Sequence, residues 1–143
     1  EIDCYLFGLN ALPSFIVRDT KELSIWNPDH KPFLNNLMEQ LEWDYQLVDD
    51  RVGMATSRVI MMIINEACYT LQEGTANMED IDLSLKKGVN YPEGPFEWAD
   101  KIGVRDVYET LEALYEDTKD ERYKICPLLK TKYLKEEGFW VDS

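Results

Sequence analysis

The stretch "MATSRVIMMIINEACYTLQEG", residues 54–74, decides how this chain folds. Apolar side chains occur on most of its faces at helical spacing, so residues 54–73 read as a helix buried at the centre of others. Gly74 is well placed to end it. Its densest part, "VIMMII" at 59–64, is the longest apolar run and is followed at once by Asn65 and Glu66. Six residues cannot cross a bilayer, which takes about twenty. A surplus of Met61, Met62, Ile63 and Ile64 exceeds what one layer of neighbours covers and points to a second copy of the chain.

Downstream, the pattern stays helical. "ANMEDIDLSLKKGV" has Asn77 as an N-cap, Glu79, Asp80 and Asp82 in its N-terminal half, and Lys86, Lys87 and Gly88 at its close. "NYPEGPFEWAD" (90–100) follows as a stiff apolar elbow. Pro92 and Pro95 fix the chain direction, Gly94 permits close backbone approach, and Phe96 and Trp98 fill space. The elbow either only turns the chain between helices or touches a ligand directly. "VRDVYETLEALYEDTKD" is amphipathic through Val107, Leu111, Leu114 and Tyr115. The last helix, "CPLLKTKYLKEE", is expected to end at Gly138, with "FWV" packing back. Residues 52–137 thus predict about five helices around the 60–71 segment.

Upstream, the first fifty residues read differently. "CYLFGL" (4–9) and "SFIVRD" (14–19) predict two strands or one bent strand punctuated by Asn10 and Pro13, with "ELSIW" continuing the second. Asn27–Pro28 opens a helix with Phe33, Leu34, Leu37, Met38 and Leu41 on its apolar face. "DYQLVDD" alternates as a further strand. This order looks like the tail of an α/β sheet.

The 143 residues suit a globular chain with its own core, at 45% hydrophobic and 30% charged residues. A net charge of −13 argues against nucleic acid and anionic membranes as partners and fits a solvated acidic surface. A polyanionic cofactor would need a local basic pocket or a helix N-terminus. Cys4, Cys68 and Cys126 lack the paired spacing of a zinc or redox motif, so no metal site is expected and three reduced cytoplasmic thiols are. His30, the only histidine, sits in the turn "NPDHKPF" and reads as a surface residue. No leader peptide is legible, and the start at Glu1 rather than Met reads as a fragment, an excised domain or a proteolytic remnant.

The seven glycines, at 8, 53, 74, 88, 94, 103 and 138, include no G-x-G pair, so neither a dinucleotide fingerprint nor a P-loop is present. Elementary chemistry stops at an acidic, cytoplasmic, mainly helical domain with a small α/β lead-in. Residues 49–103 carry more. Arg51 with Gly53, "NEA" at 65–67, "EG-A---DID" at 73–82, Gly88, "P-GPFE--D" at 92–100 and "RY---PLL" at 122–129 form a dense series in register over about ninety residues. The series resembles the C-terminal helical domain of the 3-hydroxyacyl-CoA dehydrogenases. Of that family's closing Gly-Lys-rich pattern only "GFW" (138–140) is kept.

The resemblance implies a mainly α fold. A helical bundle like the C-terminal domain of 6-phosphogluconate dehydrogenase (51–143) would follow an α/β remnant, the tail of a Rossmann domain (1–50). It places the elbow near the acyl-CoA cleft and dimer core, and implies NAD, acyl-CoA, fatty-acid metabolism and a homodimer. The nicotinamide half of the Rossmann domain would lie before Glu1, so no NAD is expected on this chain itself. "FGLNALPSFIVRD" (7–19) resembles the family's segment of histidine, Asn-Pro-x-Pro and a strand bearing glutamate. Matched position by position, the family's general base falls on Phe7, its orienting glutamate on Asp19, and its substrate-contacting asparagine on Ser57. Phe7 cannot accept a proton, and loss of a general base typically costs 10²–10⁴-fold. Two readings follow: the substrate-binding and dimerising C-terminal portion of a dehydrogenase-like oxidoreductase, or a non-catalytic acyl-CoA-binding or assembly protein on the same fold.

Overall fold

A computed structural model describes residues 4–140. Its first layer is a three-stranded sheet in the order β1 (Phe7–Leu9), β2 (Thr20–Ile25), β3 (Asp44–Leu47). β1 runs antiparallel to β2 with Phe7 opposite Ile25, whereas β3 runs parallel to β2 with Leu23 opposite Leu47. The parallel pair is joined by helix α1 (Lys31–Gln40), entered through a 3₁₀ turn at Pro28–His30 that Asn27 caps. Period-two alternation sends Leu23 and Ile25 to one face, where Leu34 and Met38 of α1 cover them with Phe7, Leu37, Tyr45 and Leu47 around.

The second layer is helical, as the sequence predicts. α2 (Thr56–Gln72) touches each of α3 (Met78–Gly88), α4 (Pro95–Ile102), α5 (Val104–Thr118) and α6 (Pro127–Lys135). Met61, Ile64 and Cys68 of α2 are fully buried, and Met62 and Ile63 are half-buried against the same cluster. The bundle therefore absorbs half of the 61–64 surplus itself. Gly53 prepares α2 with a left-handed turn, φ 74°, and a Cβ there would lie 3.1 Å from the Leu114 side chain. Asn65 splices α2 to the C-terminal quarter: its amide donates to the Lys124 carbonyl (2.8 Å) and accepts the Cys126 N–H (2.9 Å).

Two sequence expectations need correction. Residues 14–19 form turns rather than a strand: Ser14 takes φ 72°, and the Phe15 and Ile16 N–H groups both donate to the Leu12 carbonyl. Burial explains the difference, because Phe15 is drawn into the helical core rather than the sheet. The last helix ends before Gly138. Glu136 itself adopts the left-handed cap, φ 57°, and Glu137 N–H closes onto the Lys132 carbonyl. At the other caps, Gly74 (φ 74°) and Asn77, which accepts the Asp80 N–H at 2.8 Å, behave as read.

The elbow is held by a carboxylate from a different helix. Gly94 has no side chain to cap α4, and Asp82 of α3 supplies the missing acceptor by taking the Phe96 N–H at 2.9 Å. Glu97 reaches back to the Gly94 N–H (2.9 Å) and pairs with Lys86 (2.6 Å). The second Asp82 oxygen accepts the Trp140 indole N–H at 2.8 Å, while Asp100 receives the N–H groups of Phe139 and Trp140, both at 2.7 Å. Phe139 rests on Phe96, ring centroids 4.8 Å apart. A Cβ at residue 94 would sit 2.2 Å from the Asp82 carboxyl carbon, so only glycine lets α3 and the elbow meet.

Gly94→Ala is expected to destabilise the chain by about 2 kcal/mol in denaturant melts, because Asp82 must withdraw from both donors. In Asp82→Asn the carbonyl still accepts the Phe96 N–H, but the amide opposes the Trp140 N–H, donor against donor. The Trp140 indole resonance should then shift to its solvent-exposed position. Burial pushes the Asp82 carboxyl above its ordinary range, opposed by the Phe96 and Trp140 hydrogen bonds. A raised carboxyl contributes stability that is fully present below the unfolded value and lost as pH rises through the folded one. The stability of the native chain relative to Asp82→Asn should therefore fall as pH rises above the ordinary carboxylate range.

Candidate substrate groove

The polar face of the sheet meets the start of α2. Glu22, whose neighbour Leu23 points into the α1 cluster, turns the other way and accepts the N–H groups of Ala55 and Thr56, the latter at 3.0 Å. These are orphan donors of the α2 N-terminus, where a carboxylate also meets the positive end of the helix dipole. Ser24, 2% exposed, donates to Asp50 at 3.0 Å, and Gly8 opposite it leaves room for that hydroxyl. Glu22 and Ser24 thereby fix where α2 begins relative to β1.

That fixation brings Asn10, just after β1, against Ser57 in the first turn of α2. The Asn10 amide donates to the Ser57 hydroxyl at 3.0 Å, and both residues are buried. The pair lies at the wall of an open groove of about 560 Å³ between the β1 end, the 52–54 turn and α5. Leu9, Leu12, Val52, Met54 and Ala113 give it an apolar lining, and Asp106, Glu109 and Thr110 of α5 form its far side. A hydroxyl and an amide beside an apolar trough can orient a polar carbon chain by hydrogen bonding.

The residues singled out in the sequence are not all gathered there. Ser57 lines the groove. Asp19 is exposed, in the bend before β2, and makes no side-chain hydrogen bond among the described residues. The Phe7 ring lies on the α1 side of the sheet, stacked 6.2 Å from Phe33, and does not line the groove. The carboxylate that reaches α2 is Glu22, three residues beyond Asp19, and Asn10 is the second polar group at Ser57. Glu22 was legible as an acidic residue in an otherwise alternating strand, but its partner 33 residues away was not.

Other chemistries find no support. Burial raises the thiols of Cys68 and Cys126 above their ordinary range, away from that of an activated nucleophile. Among the described residues no group of three metal-ligating side chains occurs. The parallel unit β2–α1–β3 enters its helix through Asn27–Pro28, without the glycine turn that a dinucleotide pyrophosphate needs, so the residues present do not fit NAD.

Residues 53–138 match the family model "3-hydroxyacyl-CoA dehydrogenase, C-terminal domain". The chain is similar to a 3-hydroxyadipyl-CoA dehydrogenase of Escherichia coli, 41% identical over 92 residues. It is also similar to a 3-hydroxybutyryl-CoA dehydrogenase of Bradyrhizobium diazoefficiens, 40% identical over 93 residues. These alignments cover 64% and 65% of the chain but only 19% and 31% of the two relatives. A crystal structure of 3-hydroxybutyryl-CoA dehydrogenase from Escherichia coli superposes with a TM-score of 0.74 at 34% identity, covering 82% of this chain and 26% of that one. The match begins at the glycine that opens α2 and ends at the glycine before Phe139, so it takes in the whole bundle and one wall of the groove. By that match the chain belongs to the 3-hydroxyacyl-CoA dehydrogenase family, through its C-terminal helical domain.

Proposed function

We propose that this chain is the substrate-holding portion of an NAD-dependent 3-hydroxyacyl-CoA dehydrogenase-like oxidoreductase of fatty-acid metabolism. The buried Asn10–Ser57 hydrogen bond at the groove carries the reading, because it places an orienting hydroxyl on the helix where the family match begins. The acyl end lies along Leu9, Leu12, Val52 and Met54, with its 3-hydroxyl toward Ser57, and the charged CoA portion remains outside in solvent. Ser57 and Asn10 bind and orient. Glu22 is a positioning residue, acting through the backbone of Ala55 and Thr56. Asp19, the position matched to the family's glutamate, has no such geometry and takes no role in this reading.

When bound, NAD supplies the hydride acceptor in this chemistry. Nothing among the described residues fits it, so no step is assigned to this chain through the cofactor. The α/β part up to about residue 50 positions the groove's near edge, and the helical part from 51 supplies its other walls. Association as a homodimer uses the remaining half-exposed Met62 and Ile63. No helix among the described residues is long and apolar enough to cross a membrane, which is compatible with the cytoplasmic location the thiols point to.

One observation favours the second reading, a non-catalytic acyl-CoA-binding or assembly protein: the Phe7 ring packs away from the groove, and no histidine lines it. Calorimetric titration with 3-hydroxybutyryl-CoA is expected to show binding, weakened about tenfold by Ser57→Ala, whose lost hydroxyl leaves the Asn10 amide unpaired. Incubation with NAD and the same ligand is expected to give no NADH absorbance from this chain alone. No binding would overturn the substrate-holding role. Turnover that scales with protein and disappears in Ser57→Ala would overturn the non-catalytic assignment of this chain.

A further inference from the structure

We propose that the groove selects its acyl chain by charge, accepting 3-hydroxyacyl groups that end in a methyl and disfavouring those that end in a carboxylate, with Asp106 and Glu109 setting the preference. The inference rests on the acyl-CoA reading above. The names of the relatives span both classes, a 3-hydroxyadipyl and a 3-hydroxybutyryl substrate, so similarity alone does not choose.

Bond geometry does. In a 3-hydroxyadipyl group the terminal carboxylate is three carbons beyond the carbon bearing the hydroxyl, a span of about 4 Å when extended. With that hydroxyl at Ser57, the carboxylate stays inside or at the lip of the same groove whichever way the chain runs. The charged residues lining the groove are Asp106 and Glu109, and no lysine, arginine or histidine lines it. Outside the lining, Arg105 pairs with Glu109 at 2.8 Å, and Arg58 is held at the Val52 carbonyl and over the Tyr123 ring. Asp106, in the first turn of α5, has no ion-pair partner among the described residues. An incoming carboxylate therefore meets one net negative charge, two acids against Arg105, whereas a methyl end meets Leu12, Met54 and Ala113.

The site is open to water, so the penalty is screened and moderate. At about 5 Å in a partly solvated groove, one like charge weakens binding by roughly fivefold to tenfold. Salt sensitivity distinguishes this from a steric preference, because screening weakens charge repulsion and leaves shape untouched.

The test compares 3-hydroxyhexanoyl-CoA with 3-hydroxyadipyl-CoA, equal in carbon number and different only at the terminus, by calorimetric titration of this chain. At about 20 mM salt the hexanoyl ligand should bind at least fivefold more tightly, and the ratio should approach one at about 0.5 M. Asp106→Asn with Glu109→Gln should narrow the ratio at low salt. The salt series on the native chain decides the matter even if that variant does not fold. Equal affinity at low salt would overturn the proposal while leaving the acyl-CoA reading in place. A ratio unmoved by both salt and substitution would assign the preference to shape and overturn it too. Binding of neither ligand would overturn the acyl-CoA reading and this inference with it.

Discussion

A single buried carboxylate, that of Asp82, organises the far end of the bundle. It stands on α3, caps α4 through the Phe96 N–H, and ties the Trp140 indole of the tail to both. Three segments separated in sequence thus depend on one acceptor, and burying it without those donors would cost several kcal/mol. The glycine opposite follows from the same constraint, since any side chain at position 94 would occupy the carboxyl carbon's place. What looks in the sequence like an apolar elbow with proline punctuation is the space-filling consequence of an electrostatic contact. Phe96, Trp98 and Pro95 are buried because the carboxylate draws the elbow against α3.

The near end of the bundle uses the same device with the opposite layout. There Glu22, on the sheet, accepts the first free N–H groups of α2, so strand and helix share a boundary that neither supplies alone. Asn10 and Ser57 complete the contact and open onto the groove. Each end of the molecule is therefore fixed by an acid on one element capping a helix on another. The shape of the groove is inherited from the cap at the near end, and tail docking from the cap at the far end.

How much of this was legible depends on the range of the interaction. The α2 segment, the Asn77 cap and the Gly74 stop are written in residues within one or two turns of each other, and they fold as they read. One failure is long-range and the other local. Phe15 has strand-like neighbours but is claimed by the helical core, so "SFIVRD" coils. Glu136 takes a conformation ordinarily left to glycine because Lys132 and Tyr133 carbonyls need the turn, and Gly138 is not used as a stop. The resemblance matches Asp19 to the family's glutamate, and Glu22 is the acid that the structure turns toward α2. The turn at 11–19 consumes residues without advancing along the sheet, which spacing cannot reveal.

The Asn65 splice has a consequence for how the chain is made. Both ends of its amide are satisfied by backbone groups of residues 124 and 126, about sixty positions later. Until that stretch has left the ribosome, the central helix holds an unpaired amide on its buried side and an uncovered stripe around it. Elongation at roughly 5–20 residues per second makes that interval several seconds long. During synthesis, then, the bundle is a late event: the sheet and α1 can close first, and the helices lock together only when the final quarter arrives.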